Sequence, residues 1–362
     1  MALDPFDTRA LVASINSSEL IQPLGFLKSL FFKGEEISET AHVDFDVKIA
    51  PRTLANFIDP NLEADLVDKI GYSAKSYRPP YIKEKWTLDP SIFMERGFGR
   101  HIYMPPNARG QSRVQAKISE IIVEGLHRIV NKCEWMCAQV LTTGQLVVSG
   151  KGVSTTLDFE MPASNILGTA DLTNAVGWDD TNSSPLTDLI NVDQIIQQGY
   201  SGHKIDVAVM GLDAANAFMN HAEIKGVDSV FDTRRVDLGM IEPRKMGDGV
   251  VYLGHLRDPD IDLYKYSGYY TDENGVSQTV MPTDKVIVGS TQAANAMAYG
   301  AIYDIEKTGS AGYTTNNGML YVGKYFAKSW VKEDPSLRIF SIQCAPLSVL
   351  KEPHAFVVAT VL

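Results

Sequence analysis

Apolar positions along the chain change their spacing several times, and each change marks an element. Between residues 109 and 141, Val114, Ile118, Ile122, Leu126, Ile129, Cys133, Met136 and Val140 recur every three or four positions. That spacing places them on one stripe of a helix. Arg113, Lys117, Glu120, Glu124 and Arg128 fall on the opposite side, with Glu124 and Arg128 at the favourable i,i+4 separation. At 1.5 Å per residue the helix runs on the order of 50 Å, enough to span a whole domain. Gly125, near its middle, costs about 1 kcal/mol relative to alanine and offers a place to bend.

Elsewhere the period is two. Val43, Phe45, Val47 and Ile49 alternate with Asp44, Asp46, Lys48 and Ala50, the pattern of a half-covered strand. Pro79, Pro80 and the run Lys83, Glu84, Lys85 then suit an edge ribbon, not a central strand. A two-stranded ribbon is marginal alone in water, so a ribbon over 43–100 needs support from outside its own segment. Leu146, Val147 and Val148, a Gly150-Lys151-Gly152 turn and the alternation Val153, Thr155, Leu157, Phe159, Met161 predict a hairpin. Ser184 and Pro185 open a helix that Gly199 closes. Residues 205–210 read as a buried strand, and Asp213 is a candidate cap for the helix carrying Ala217 and Phe218. Further strands fall at 250–253, 286–289, 337–342 and 356–359, and Asn274-Gly275 suits a type I′ turn in a hairpin over 264–281.

The opening segment is different. Leu20, Ile21, Leu24, Phe26, Leu27, Leu30, Phe31 and Phe32 crowd into a stretch too short to bury them alone. Either this arm packs on its own domain or it docks on a neighbouring subunit.

The chain has 362 residues, with 33 Lys plus Arg against 44 Asp plus Glu for a net charge of −11. This length leaves room for two packed cores, and the acidic balance argues against a protein that grips phosphate backbones. Three cysteines form no disulfide framework and point to reduced thiols inside a cell. No secretory signal is expected at the N-terminus, and no apolar run approaches the roughly 20 residues that cross a bilayer. A soluble, cytoplasmic product with no membrane partner is expected.

Candidate chemistry is sparse. Gly323-Lys324 and Gly97-Phe98-Gly99 lack the remaining glycines of phosphate-binding loops. Cys133 and Cys137 are one helical turn apart, but without a second pair they read as core residues and not metal ligands. Asp258, Asp260 and Asp262 alternate, the usual pattern of a solvated edge, although three carboxylates can hold a divalent cation. His354 beside Glu352 reads as a surface pair. No catalytic residue, cofactor or metal is expected.

Several segments, in order over most of the chain, resemble the major capsid (head) proteins of phage lambda and its relatives. They are residues 23–32; Tyr81, Ile82 and Lys83 with Asp89 and Pro90; residues 231–235; Tyr266, Ser267 and Gly268; residues 273–276; residues 288–293 with Tyr299 and Gly300; and residues 324–330 through Asp334-Pro335 to 343–347. The resemblance implies an α+β chain with the Hong Kong 97-type phage capsid fold, with an N-terminal arm over 1–42 and an extended β loop over 43–100. It further implies a peripheral domain with its long spine helix over 101–170, an axial α/β domain over 171–305, and a return over 306–362.

The function implied is a shell protein, not an enzyme, assembling as hexamers and pentamers of an icosahedral head around double-stranded DNA. An encapsulin-like nanocompartment and an ordinary α/β enzyme remain open alternatives. Candidate contacts between subunits are Phe26, Leu27, Leu30, Phe31 and Phe32 in the arm, and Tyr77, Tyr81, Lys83, Lys85 and Trp86 in the ribbon. Arg234, Arg235, Arg244 and Lys245 are candidates near the capsomer axis, or simply an exposed basic loop. No charged helical segment precedes the arm, so scaffolding is expected from a separate protein. The resemblance adds a portal, a decoration protein and packaged DNA held without sequence-specific binding. The virion capsid, assembled in the host cytoplasm, is the implied location.

Overall fold

The computed structural model describes residues 11–12, 25–49, 57, 71–88, 111–199, 203–225, 236–237, 249–272, 274–308, 315–334 and 336–362. At its centre is a seven-stranded mixed sheet in the order Ile166–Leu167, Phe356–Thr360, Lys285–Gly289, Val207–Met210, Asp260–Tyr266, Val250–Arg257, Val236–Asp237. Its inner strands are apolar on both faces, and the period of two sorts their side chains between two cores. Val207, Val209, Ile287, Phe356 and Val358 face one core, which contains the long helix. Ala208, Met210, Val286, Val288, Val357 and Ala359 face the other, with residues of the helices Pro185–Gln198 and Leu212–Asn220. A buried Asp188 ties this second core to its loop: Trp178 Nε1–H donates to it at 2.8 Å and the Thr173 N–H at 2.7 Å.

The long helix spans Gln111–Thr143, 33 residues. Ile118, Ile122, Leu126, Ile129, Cys133, Met136 and Val140 are all buried, and Glu124 pairs with Arg128 at 3.4 Å as the spacing predicts. The helix is continuous through Gly125, whose role is closeness rather than bending. A Cβ there would lie 2.4 Å from Ile342 and 2.8 Å from Trp86, so glycine lets a sheet lie directly on the helix. That sheet has three antiparallel strands, Phe326–Lys332, Leu337–Cys344 and Ile82–Leu88, the last at its edge. Ribbon residues 82–88 therefore pair with the chain's own C-terminal region. The other ribbon strands, Val43–Ile49 and Gly71–Tyr77, pair only with each other among the described residues, and Val43, Phe45 and Val47 are buried as their alternation predicts.

The hairpin Gln145–Gly150 with Val153–Asp158 forms around the expected turn, Gly152 supplying its positive φ. Ser184 is the N-cap of its helix, Pro185 its first residue and Gly199 its C-cap. Two local expectations are corrected. Gly211, not Asp213, is the N-cap of Leu212–Asn220, because the Asp213 and Ala214 N–H groups donate to the Thr283 carbonyl at 3.0 and 2.9 Å. The connection at Asn274-Gly275 spans 272–276, wider than a two-residue type I′ turn. The Asp272 carboxylate organises it by accepting the N–H groups of Asn274 and Val276, both at 2.9 Å. Three strands without an alternation signal also form: Gly34–Ile37 runs parallel to Ala296–Tyr299, which pairs with Pro346–Val349.

Candidate functional site

Two places concentrate the sequence-derived contact residues, and the chain treats them oppositely. The first is the arm. Residues Phe26–Phe31 form a short helix whose N-cap, Gly25, has no side chain to satisfy the first amides. Glu134 of the long helix does so instead: the Leu27 N–H donates to its Oε1 at 2.7 Å and the Lys28 N–H to its Oε2 at 3.0 Å. The Tyr266 hydroxyl donates to Oε1 at 3.2 Å. Glu134 is 0 % exposed, and burial raises its pKa against these donors.

Around this contact, Leu27, Phe31 and Phe32 are buried in the chain's own core, while Phe26 and Leu30 are half-buried against it. Phe31 meets Phe356 edge-to-face at 5.2 Å and Phe26 lies 5.4 Å from Tyr264. At the arm's other end Glu35 pairs with Lys324 and, at 3.5 Å, with Lys28, and Glu36 pairs with Lys351. Burial works to raise Glu35, but Lys324 and Lys28 outweigh it and hold its carboxyl below the usual value.

The second place is the base of the ribbon. Tyr77 is half-buried 5.7 Å from Phe45, and Trp86 is half-buried over Gly125. Lys83 and Lys85 point outward from the edge strand, and Tyr81 is 45 % exposed. The Tyr81 hydroxyl donates to Gln343, whose Nε2–H donates to Asp304 at 3.2 Å, and Asp304 pairs with Lys328 at 3.1 Å. Burial, then Asp304 and Cys344, push the Tyr81 phenol up to about 12. Tyr81 lines an open cleft of about 240 Å³ together with Arg78, Lys83, Tyr303 and Ala345 among others. Tyr303 sits directly opposite Leu320 on the hairpin Ile302–Thr308 with Thr315–Tyr321, and the two are 59 % and 46 % exposed. Arg234, Arg235, Arg244 and Lys245 lie outside the described residues.

Clusters with chemical potential resolve into structural pairs. His255 sits between Asp260 and Asp262, its Nε2 3.1 Å from one and its Nδ1 3.0 Å from the other. Glu352, read from sequence as a surface residue, is buried; it pairs with His203 at 2.8 Å and accepts the Ala294 N–H at 3.2 Å. His221 accepts the Glu223 N–H at Nδ1, so its Nε2–H donates to Ser183 at 3.1 Å, the wrong direction for activating a serine. Cys133, Cys137 and Cys344 are free and buried; burial pushes the Cys133 thiol up to about 12 and the other two well above their usual range. Among the described residues no group of three His, Cys, Asp or Glu side chains is placed to hold a metal, and no helix is long and apolar enough to cross a membrane.

Sequence reasoning missed Glu134 and the exposed Tyr303–Leu320 pair. The available signal for Glu134 was a carboxylate at helical spacing from Val130, Cys137 and Leu141, where the long helix is apolar on more than one face.

Comparison with known proteins points one way. The family model for phage major capsid protein E matches residues 7–361. The major capsid protein of Escherichia phage lambda is 22 % identical over 97 % of this chain and 98 % of its own length. That of Enterobacteria phage P21 is 23 % identical over 98 % of this chain and 99 % of its own. Among solved structures, a prophage capsid protein of E. coli CFT073 superposes with a TM-score of 0.69 at 20 % identity, covering 98 % of this chain and 99 % of that one.

Proposed function

Since this chain belongs to the phage major capsid protein E family, we propose that its copies assemble as hexamers and pentamers of an icosahedral head enclosing double-stranded DNA. Its role in the head is structural and not enzymatic. The observation that carries this reading is the number of incomplete sheets. Among the described residues, four of seven sheets have only two strands, and they carry the exposed Val147, Val153, Tyr269, Tyr303 and Leu320. Two-stranded ribbons are marginal alone and open edges invite pairing, so neighbouring copies are their natural cover. Each such contact is modest, at about 25 cal/mol per Å² less ordering costs, and becomes strong when many close a shell.

In this reading the ribbon over 43–100 is the extended loop of a Hong Kong 97-type subunit and Gln111–Thr143 its spine helix. The central sheet belongs to the axial domain. Tyr77, Tyr81, Lys83, Lys85 and Trp86 supply the ribbon's contacts, and Arg234, Arg235, Arg244 and Lys245 those near the capsomer axis. Phe26 and Leu30 are half-available, whereas Leu27, Phe31 and Phe32 reach a neighbour only if the arm leaves its seat. A separate scaffold, a portal and a decoration protein complete the set of partners. The acidic balance suits a container whose lining lets DNA enter and leave.

Electron microscopy of the purified chain, alone and co-expressed with phage scaffold, tests the proposal. Closed icosahedral shells are expected; a chain that stays monomeric or dimeric at high concentration overturns it. Shells that co-purify with cargo protein and no DNA move the function to a nanocompartment.

A further inference from the structure

The three-stranded sheet laid on the long helix carries opposite charges at its two ends. Ile82 pairs with Cys344 at one end and Leu88 with Arg338 at the other, and the six residue steps between them put the ends about 20 Å apart. At the first end lies the cleft of about 240 Å³, where the exposed Arg78 and Lys83 stand beside Tyr81 and Tyr303. Asp304, which Gln343 links to Tyr81, is spent on Lys328 at 3.1 Å. Among the described residues neither Arg78 nor Lys83 has an ion-pair partner. At the other end a turn joins the strands Phe326–Lys332 and Leu337–Cys344. Val331, Lys332, Glu333 and Asp334 are all exposed there, Val331 at 56 %. Among the described residues Glu333 and Asp334 meet no cation. With Lys332 counted, the turn still carries net negative charge beside an apolar side chain, and the cleft offers positive charge beside aromatic rings. One chain cannot bring the two together, because its own sheet holds them apart.

We propose that the turn at Glu333 and Asp334 of one copy seats in the cleft of a second copy, its carboxylates meeting Arg78 and Lys83 while Val331 packs against Tyr81 and Tyr303. The shell that such contacts build rests on the capsid reading; the contact itself needs only a second copy. Like ends repel, so turn-to-turn and cleft-to-cleft pairing are disfavoured and the copies meet head to tail. Each copy then gives one end of its sheet and receives the other, a heterologous contact that closes a ring where the rotation allows. Charges at such a rim set partner and register more than affinity, and repetition around the ring supplies the strength that one contact lacks.

Carbodiimide treatment of the wild-type chain, assembled from a mixture of isotopically labelled and unlabelled copies, tests the contact directly. The reagent condenses an amine with a carboxylate only where the two already touch. Peptides joining Lys83 to Glu333 or Asp334, with label on one side alone, are expected. Lys83 linked only to other carboxylates, or to none, overturns the contact. Charge reversal gives a second reading. R78E with K83E should raise the protein concentration needed for assembly about tenfold, and adding E333K with D334K to the same chain should bring it back to within about twofold. All four side chains are exposed, so the unfolding midpoint of the unassembled chain should hold. A fourfold variant that recovers nothing overturns the contact, and if the variants do not fold the cross-link decides alone. Electron microscopy of the same wild-type preparation separates the two claims. Shells without the link remove the contact and keep the capsid; linked soluble oligomers without shells do the reverse.

Discussion

The arm and the hairpin over 302–321 both carry large apolar side chains, yet those of the arm are saturated by its own chain while Tyr303 and Leu320 are not. Leu27, Phe31 and Phe32 are at most 1 % exposed, seated on the long helix and the central sheet, with the Leu27 amide and the arm's Glu35 carboxylate paired. Tyr303 and Leu320, opposite each other across two strands, are 59 % and 46 % exposed. Hydrophobicity alone does not say which segment is offered to a partner. What separates them is a prepared seat: a buried acceptor, an aromatic wall and oppositely charged side chains await the arm, and among the described residues none of these covers Tyr303 and Leu320. Contiguous exposed apolar surface of that kind marks interaction sites.

The sharpest way to break the contrast is to empty the seat. Phe31→Ala removes the ring packed edge-to-face on Phe356 and should lower unfolding stability by about 3–5 kcal/mol, as for other buried aromatics. Chemical denaturation of the unassembled chain reads this directly. A loss below about 1 kcal/mol would mean that the arm contributes little to its own subunit.

Next in size is Gly125→Ala. In an exposed helix this change stabilises by about 1 kcal/mol. Here the added carbon would lie 2.4 Å from Ile342, and overpacking should instead destabilise by about 1–3 kcal/mol. A thermal midpoint that rises would show that the sheet carrying Trp86 and Ile342 is not pressed on the helix, and that the ribbon's return strand is less anchored than the arm.

These two residues also show what the sequence could reveal. The long helix and the inner strands of the central sheet are legible because burial repeats at their own period, every three or four residues or every one to two. Gly125 was visible as a cost, but its benefit depends on Trp86 and on Ile342, which lie far from it in the sequence, and leaves no local trace. The strand Gly34–Ile37 was equally hidden, since two glutamates argue against a strand until Lys324 and Lys351 come to meet them. The hairpin over 302–321 is rich in glycine, asparagine and threonine and shows no clean alternation. Glu134 defeats periodicity altogether, because a charged residue among apolar helix positions declares its purpose only when the donors are in place. The family resemblance, carried by short ordered segments, reached further than any periodic signal.

Replacing Tyr303 and Leu320 together by serine sharpens the contrast from the other side. Neither side chain is buried in the chain, so the unassembled protein should change by no more than about 0.5 kcal/mol. Assembly should suffer, with the protein concentration needed for shells, followed by light scattering, rising severalfold. Normal assembly would show that this face stays open to solvent in the head.

The smallest effect distinguishes the arm's two ends by pH. Glu35 is held below the ordinary carboxyl value of 4.5 by Lys324 and Lys28 against the opposing pull of burial. Its unfolded form therefore binds protons more readily, so its contribution is present above that value and fades as pH falls through the lower folded one. Glu134 has the opposite sign. Burial raises it, so the folded form takes the proton more readily, and its contribution is present in acid and is lost as pH rises through the raised value. Acidification below about 4.5 should then loosen residues 34–37, which hydrogen exchange resolves amide by amide. Because Glu35 is 39 % exposed, salt should shrink the effect. Glu35→Gln should abolish the acid response at 34–37. If both ends respond together, the arm moves as a single rigid piece and its charged end has no separate role.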